Sequence, residues 1–309
     1  MDRPSKHVLE RCAAHARRET DARKGMIPES ELIRRSADVP PPRGFARTLE
    51  AGPFGLIAEI KYRSPSKGSM RRENVAQAPG AYEASPVVRA VSILTQEADF
   101  GLSVDDFARF RASITKPILR KDFIETEYQI HEARAMGADA VLLMCQLLPQ
   151  NRMQALHDLA TELGLDVLVE TRGLHDFGCI PSGARVVGIN SRDFMSSGKR
   201  YWLARNAKAA LQRVGIATPD FTTKLGGFQG IRDLHLDCVK VAESGMGPKN
   251  IPQVAELGYH AALVGTGLLL DPRGVDAALE DYGRAMRTVT AGMGSPSARR
   301  PSPLAAARV

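Results

Sequence analysis

Eight short apolar runs, spaced along the chain like the units of a repeat, constrain its fold more than any other feature. They begin at Leu56, Val88, Pro117, Ala140, Asp166, Arg185, Cys238 and Ala261. The mean step between them is about 29 residues, the length that one strand, one helix and two loops require. Because the runs are continuously apolar rather than alternating, they predict parallel strands buried on both faces. Eight such units predict an α/β protein, a (β/α)8 TIM barrel.

The segments between the runs carry the period of amphipathic helices. Residues 127–138 place Ile130, Ala133 and Met136 on one face of a helix that should end at Gly137. An open doubly wound sheet would also alternate strands with helices. We favour the barrel because no GxGxxG motif follows the first run and because the units number eight.

The chain divides into several stretches around this barrel. Residues 1–50 are expected to form an N-terminal helical extension, and residues 51–290 the barrel itself. The long step between the sixth and seventh runs predicts an insertion in the sixth unit, at about 195–237. Residues 291–309, rich in Pro, Ser, Ala and Arg, are expected to be a disordered basic tail. Within the barrel, Pro79 is expected to interrupt the first helix.

The net charge of +7 is concentrated at the two ends of the chain. Residues 1–24 and 284–309 carry the excess of Lys and Arg, which leaves the body close to neutral. A nucleic-acid-binding domain concentrates positive charge on its folded face, so we expect no nucleic-acid partner. The first residues are charged, and no run approaches the ~18 consecutive apolar residues of a membrane span. We therefore expect no membrane partner and a cytoplasmic location.

The cysteines and histidines do not form a metal-binding motif. Cys12, Cys145, Cys179 and Cys238 are far apart in the sequence, and the seven histidines are scattered. Metal sites and disulfide frameworks require closer spacings than these. We expect buried or inert thiols and no bound metal.

Charged side chains stand at the carboxyl ends of several runs. Glu59 and Lys61 end the first run and Lys121 the third, while Glu170 and Glu243 end the fifth and seventh. Glu59 and Lys61 are two residues apart on an extended segment, so both should face the same side. Active sites of such barrels lie at the carboxyl ends of the strands. A single pair would fit a structural salt bridge, but acids and lysines together on one rim favour a functional site.

The last two runs end in a pattern suited to an anion. Ser244 and Gly245 follow the seventh run, and Gly265 and Thr266 follow the eighth. Glycines let backbone N–H groups approach a ligand closely, and hydroxyl groups add hydrogen-bond donors. Either motif alone would fit an ordinary turn. Together they lie where these barrels commonly bind phosphate, so they predict a phosphorylated small-molecule ligand.

Longer stretches of the chain resemble one known family. They are IAEIKYRSPSKG from Ile57, PILRKDFIETEYQIHEARAMGADAVLLM from Pro117, LGLDVLVE ending at Glu170, GINSRDF from Gly188, and VAESGM with ALVGTGLL. In this order, and over nearly the whole barrel, they resemble indole-3-glycerol phosphate synthase. The resemblance implies a lyase of tryptophan biosynthesis that closes 1-(2-carboxyphenylamino)-1-deoxyribulose 5-phosphate to indole-3-glycerol phosphate, with loss of CO2 and water. It also implies no cofactor and no metal.

The resemblance further implies a role for each candidate residue. Lys121 would be the general acid for ring closure and Glu170 the general base, while Lys61 with Glu59 would assist the dehydration. Asn190 would lie near the reacting chain. The residues implied to bind the substrate are Ser64, Arg192, Phe100, Phe123, Glu243, Ser244, Gly245, Gly265 and Thr266. An arginine suits the substrate carboxylate because its planar fork binds both oxygens.

The enlarged sixth unit leaves alternatives open. A paralogue could perform the same closure on a modified anthranilate derivative in specialised metabolism. A non-catalytic barrel could keep only the phosphate site, although a binding module would not need Lys61, Lys121 and Glu170 together. For the assembly we expect a monomer or a homodimer.

Overall fold

The computed structural model describes residues 4–191, 228–229, 231, 234 and 236–292. The strands in this part of the chain are β1 (Gly55–Ile60), β2 (Arg63–Ser64), β3 (Gly68–Ser69), β4 (Val88–Leu94), β5 (Ile118–Lys121), β6 (Ala140–Met144), β7 (Asp166–Thr171), β8 (Val186–Asn190), β9 (Val239–Glu243) and β10 (Ala261–Val264). The principal helices are α1 (Pro4–Met26), α2 (Glu29–Asp38), α3 (Phe45–Glu50), α4 (Arg72–Ala84), α5 (Glu97–Phe100), α6 (Val104–Ser113), α7 (Glu127–Ala135), α8 (Gln150–Glu162), α9 (Ile251–Glu256), α10 (Thr266–Leu269) and α11 (Val275–Gly292), with a 3₁₀ helix at Leu174–Cys179.

Eight of these strands form a closed parallel barrel. Its order is β1, β4, β5, β6, β7, β8, β9 and β10, and β10 pairs back onto β1. Each of the eight apolar runs coincides with one barrel strand to within one residue at either end, so the predicted (β/α)8 fold is confirmed, together with a helical N-terminal extension. The short strands β2 and β3 form a separate antiparallel hairpin between β1 and α4.

The core has two layers because successive side chains of a strand point to opposite faces. One set of side chains fills the barrel, for example Ile57, Leu119 and Leu168. The other set packs beneath the surrounding helices, for example Val91 and Val169. The continuous apolar runs are therefore explained by burial on both faces, as predicted.

Helix α3 closes the amino end of the barrel. Its side chains Phe45 and Leu49 are buried and pack into the barrel interior. The backbone N–H of Ala46 donates to Asp166 Oδ2 at 2.8 Å, at the amino end of β7. The N–H of Arg43 donates to Asp139 Oδ1 at 2.7 Å, just before β6. The segment before β1 is thus tied to strand ends, which leaves the opposite end of the barrel for a site.

The expectation that Pro79 interrupts the first barrel helix is wrong. Helix α4 runs from Arg72 to Ala84 with Pro79 inside it. A proline removes one helical hydrogen bond, but packing of the rest of the helix outweighs that loss. Val75 and Ala78 of α4 are fully buried in the core, and the hydroxyl of Tyr82 donates to the carbonyl of Glu59 at 3.2 Å.

The four cysteines are free, and Cys12 and Cys145 are buried. Burial is the main cause that raises the pKa of both thiols to about 12, so they are unreactive near neutral pH. Among the described residues, no three His, Cys, Asp or Glu side chains are arranged to hold a metal ion. None of the helices in that part of the chain is both long and apolar enough to cross a bilayer.

Candidate active site

The inner surface of the barrel changes from apolar to charged toward the carboxyl ends of the strands. Glu59 on β1, Glu170 on β7 and Glu243 on β9 each lie two residues beyond an apolar side chain of the barrel interior. Their exposed fractions are 3%, 1% and 2%. Burial of carboxylates is costly unless they are paired with opposite charges. Cationic side chains are therefore expected at this end of the barrel.

Two lysines provide the opposite charges. Lys61 Nζ donates to Glu59 Oε1, and both side chains are buried. Lys121 Nζ lies 3.9 Å from Glu170 Oε2, and the side chain of Lys121 is 18% exposed. The barrel mouth therefore holds one closed lysine–glutamate pair and one looser pair with access to solvent. An ammonium group at such a place can deliver a proton to a bound substrate.

Glu170 and Glu243 form a pair of interacting carboxyl groups. Burial raises the pKa of Glu243 well above its ordinary value, and the charge of Glu170 raises it further, while Lys121 partly opposes both effects. Burial and the neighbouring negative charge therefore favour the neutral form of Glu243. Among the described residues, Glu170 Oε2 and Glu243 Oε1 are buried without a hydrogen-bond partner. Unsatisfied buried acceptors of this kind are typical of functional sites.

Two glycines make room for these carboxylates. A Cβ at Gly265 would lie 2.5 Å from Glu59 Oε1 and 3.1 Å from Lys61 Nζ. A Cβ at Gly188 would lie only 1.9 Å from Glu243 Oε1. Sequence reasoning named Gly265 but missed the role of Gly188. A glycine inside the β-branched run of β8 was the available signal, because such a glycine often marks a close approach.

The predicted phosphate-binding residues lie on the turns after β9 and β10. Ser244 has a left-handed backbone with φ of 69°, and Gly245 follows with φ of 67°. Ser244 is the single non-glycine residue with positive φ in the described part of the chain. Such a conformation is strained in a residue with a side chain and is often found at binding sites. Thr266 begins the short helix α10, directly after Gly265.

The turn after β9 is held by residues that sequence reasoning did not identify. The Ser191 hydroxyl donates to the carbonyl of Ser244 at 3.1 Å, and Ser191 N–H donates to the carbonyl of Glu243 at 3.1 Å. Asn250 Nδ2 donates to the carbonyl of Gly245 at 3.2 Å. These contacts join residues 53, 52 and 5 positions apart, so only Asn250 could be suspected from local sequence.

The predicted aromatic residues are close neighbours. The rings of Phe100 and Phe123 are 6.3 Å apart between centroids and inclined by 30°, and both are half-buried. Phe100 ends α5 after β4, and Phe123 lies just after β5. Ser64, on the hairpin after β1, is buried and accepts the N–H of Lys67 at 3.2 Å.

The remaining predicted residues divide into two groups. Asn190 is buried at the end of β8 and pairs in register with Glu243 on β9. Arg192 and most of the predicted insertion at 195–237 lie outside the described residues. At the end of β5, only Lys121 points into the mouth, because the alternation of the strand turns Arg120 outward into a buried network.

The chain is similar to proteins of one enzyme family over most of its length. The family model for indole-3-glycerol phosphate synthase matches residues 9–197. The indole-3-glycerol phosphate synthase of Saccharopolyspora erythraea is 37% identical over 264 residues, which are 85% of this chain and 90% of that protein. The enzyme of the same name from Bacteroides thetaiotaomicron is 33% identical and covers 87% of this chain and 95% of its own. Among solved structures, thiamine phosphate pyrophosphorylase from Pyrococcus furiosus superposes with a TM-score of 0.51 over 77% of this chain and 97% of its own. At 14% identity, that likeness shows the fold alone.

Proposed function

Because the chain belongs to the indole-3-glycerol phosphate synthase family, we propose that the charged residues of its barrel mouth divide the ring-closing reaction among them. The enzyme is a decarboxylating lyase of tryptophan biosynthesis that converts 1-(2-carboxyphenylamino)-1-deoxyribulose 5-phosphate to indole-3-glycerol phosphate. The reaction forms one carbon–carbon bond and releases CO2 and water. It therefore needs an acid for the ketone, an acid for the departing hydroxyl and a base for a ring proton.

Lys121 acts first, as the acid of ring closure. The aryl carbon that bears the carboxylate attacks the substrate ketone, and Lys121 gives its proton to the ketone oxygen. Loss of CO2 then returns the bonding electrons to the aromatic ring. The support is that Lys121 is the lysine with solvent access in the mouth, 3.9 Å from Glu170. The adjacent carboxylate orients the ammonium group.

Lys61 and Glu170 act in the dehydration. Lys61, held by Glu59, protonates the hydroxyl group that leaves as water. Glu170 removes a proton from the neighbouring carbon of the new ring, which completes the indole. Glu170 suits the role of base because its carboxyl group is buried in the mouth, 3.9 Å from the ammonium group of Lys121.

The other candidate residues bind and orient the substrate. Phe100 and Phe123 flank its aromatic ring, Arg192 binds its carboxylate, and Asn190 contacts the sugar-derived chain. Glu243 adjoins the reacting centre. The phosphate group is bound by Ser64, Ser244, Gly245, Gly265 and Thr266. The strained backbone at Ser244 and the N-terminus of α10 after Gly265 support this placement.

One observation supports these assignments above the others: two lysine–glutamate pairs and a third glutamate meet in one buried mouth. The test is a comparison of Lys121→Met with Lys61→Met, both of which keep most of the side-chain volume and remove the ammonium group that donates the proton. CO2 release from carboxyl-labelled substrate and indole absorbance are followed in parallel.

We expect Lys121→Met to release neither CO2 nor indole at a measurable rate. Lys61→Met should release CO2 faster than it forms indole, because closure and decarboxylation precede dehydration. An Arg18→Gln variant, which changes an exposed residue of α1, is the control and should match the wild type. Equal loss of both signals in Lys61→Met would contradict the division of roles.

A modified ring substrate is the second candidate. The family-model match ends at residue 197, near the start of the predicted insertion at 195–237, so the stretch after β8 is where this chain departs from the model. A comparison of kcat/KM for the unsubstituted substrate and for ring-substituted analogues separates the two candidate functions. A value of kcat/KM at least tenfold higher for one analogue would favour the specialised reaction.

We also propose a cytoplasmic protein that is a monomer or a homodimer, with residues 1–50 as an extension, 51–290 as the catalytic domain and 291–309 as a basic tail. The position of α1 to α3 before β1 supports the proposed extension. Light scattering after size exclusion gives the assembly. Limited proteolysis should remove the tail first.

A further inference from the structure

A buried network of charged side chains lies just outside the barrel mouth, on the outer face of β5. Arg120 is its centre and is fully buried. Its guanidinium donates to Asp122 Oδ2 at 2.9 Å and to Glu132 Oε2 at 2.7 Å. It also donates to the hydroxyl of Thr95 at 3.2 Å and to the carbonyl of Gln129 at 3.0 Å. All three guanidinium nitrogens are thus satisfied by the protein itself.

The network extends outward to the N-terminal helix. Arg23 on α1 donates through Nε to Glu132 Oε1 at 2.6 Å and through a second nitrogen to Glu132 Oε2 at 3.1 Å. Glu132, on α7, therefore joins the arginine of α1 to the arginine of β5. Although burial alone would raise the pKa of Glu132, Arg120 and Arg23 hold it below its ordinary value. The carboxylate is ionised and bridges two cations.

The network extends inward to the residues of the site. Asp122 Oδ1 accepts the N–H of Phe123 at 2.8 Å, and Asp122 Oδ2 accepts the hydroxyl of Thr95 at 3.0 Å. The carbonyl of Phe123 accepts a hydrogen bond from Gln129 Nε2 at 3.0 Å. Both backbone groups of Phe123 are therefore fixed. Lys121 lies between Arg120 and Asp122, so its backbone is held from both sides.

Stability alone does not account for this arrangement. Buried ion pairs are often no better for stability than well-packed apolar residues, because desolvation offsets their attraction. What an apolar side chain cannot supply is direction, since hydrogen bonds restrain both distance and angle. Two arginines and two acids balance in charge, and the bonds of Arg120 and Asp122 restrain the residues on both sides of Lys121.

We propose that the chain Arg23–Glu132–Arg120–Asp122 positions Lys121 and Phe123 for ring closure, and that α1 acts on the reaction through it. These are positioning residues, because none of the four touches the mouth. The inference rests on the role proposed for Lys121. It predicts that loss of a link lowers the rate of closure more than it weakens substrate binding.

The outer link is the most informative to change, because Arg23 is 15% exposed and its loss leaves Arg120 paired. Arg23→Gln removes the charge, and Arg23→Lys retains it. Arg18→Gln is the matched control, since Arg18 is exposed on the same helix and outside the network. Asp122→Asn changes the inner link with little change of shape. For each variant, kcat, KM and Tm are measured, with assays well below the lowest Tm.

For Asp122→Asn we expect kcat to fall about 100-fold, and for Arg23→Gln about fivefold to tenfold, with KM changed less than about threefold. Arg23→Lys should recover most of the loss, and Arg18→Gln should show none. If Asp122→Asn does not fold, Arg23→Gln and Arg23→Lys still decide the question. Wild-type kcat in Arg23→Gln with only a lower Tm would overturn the proposal, because the link would then be structural.

Lys121→Met, assayed with these variants, separates the positioning proposal from the proposed role of Lys121 as the acid. If Lys121→Met is inactive while Asp122→Asn and Arg23→Gln turn over normally, the positioning proposal fails and the role of Lys121 stands. If Lys121→Met is active, the proposed role of Lys121 fails.

Discussion

The two ends of the barrel are formed by the same eight strands, but they bury different kinds of side chains. At the amino end, Phe45 and Leu49 of α3 fill the interior with apolar side chains. At the carboxyl end, the same inner face carries Glu59, Glu170 and Glu243. One end buries hydrocarbon, and the other buries charge. The amino end is therefore expected to contribute mostly to stability and the carboxyl end mostly to catalysis.

The polar groups of the two ends show the same division. At the amino end, Asp139 and Asp166 accept backbone N–H groups at 2.7 and 2.8 Å, which ties α3 and the segment before it to the strands. At the carboxyl end, Glu170 and Glu243 each have one buried oxygen with no hydrogen-bond partner in the described part of the chain. Buried polar groups that form hydrogen bonds stabilise the folded state. Buried polar groups without such bonds cost stability, but they can still bond to a substrate.

The largest expected effect is at the carboxyl end. Glu170→Gln keeps the shape and removes the proposed base, so kcat should fall about 1,000-fold, equivalent to about 4 kcal/mol. Tm should change little, because glutamine keeps the shape of the side chain and the ion pair with Lys121 is already loose at 3.9 Å. Indole absorbance and thermal unfolding measure both quantities. Glu162→Gln, an exposed change on α8, is the control. A loss of activity below tenfold would remove Glu170 from the mechanism.

The second prediction concerns the amino end. Phe45→Ala removes a fully buried ring and should lower the free energy of unfolding by about 3–4 kcal/mol. At temperatures where the variant stays folded, kcat should change less than about twofold. Urea unfolding and steady-state kinetics check the two halves of the statement. Met26→Ala, at a side chain 73% exposed on α1, should alter neither. A large loss of kcat in folded Phe45→Ala would mean that the two ends are coupled.

A smaller effect is expected from crowding the carboxyl end. Gly188→Ala places a Cβ where Glu243 Oε1 now lies, so Glu243 must move and disturb Glu170. We expect kcat to fall about 10-fold to 100-fold with a smaller rise in KM. Gly178→Ala, where a Cβ meets nothing within 4 Å, is the matched control. Unchanged kinetics in Gly188→Ala would show that the position of Glu243 does not matter for turnover.

The smallest effect is a change in how stability depends on pH. The folded-state pKa of Glu243 lies above its ordinary value of 4.5, so the folded protein keeps a proton that the unfolded chain has lost. The stability that this neutral carboxyl contributes is complete below pH 4.5 and is lost as pH rises toward the folded-state pKa.

Glu243→Gln should remove this dependence. Above pH 4.5 the variant should therefore gain stability relative to the wild type, by at most about 1.4 kcal/mol per pH unit. Urea unfolding at several pH values measures the difference. Parallel curves for the two proteins would show that Glu243 ionises normally in the folded state.

Much of the fold follows from local signals in the sequence. The eight runs predict the barrel strands because burial on both faces requires continuous apolar residues, and this requirement is local to each strand. The end of α7 at Ala135 and the left-handed Gly137 after it also follow from local rules. Pro79 shows the limit of such rules, since packing of α4 outweighs a local preference.

The candidate site follows from the sequence only in part. That Glu59, Lys121, Glu170 and Glu243 share one end of the barrel follows from parallel strands, because all carboxyl ends then lie together. Their pairing does not follow, because it depends on the width of the barrel and the stagger of its strands.

The sequence by itself therefore determined the repeat, the end of the barrel that carries the chemistry, and the residue types present there. The tertiary structure alone decided that Lys121 lies beside Glu170 and that Gly188 makes room for Glu243. It also decided that Arg120 faces away from Lys121 and is joined through Glu132 to Arg23 of α1. The physical reason is the distance along the sequence between the interacting residues. Strand and helix signals act between residues a few positions apart, whereas these contacts join residues that only closure of the barrel and docking of α1 bring together.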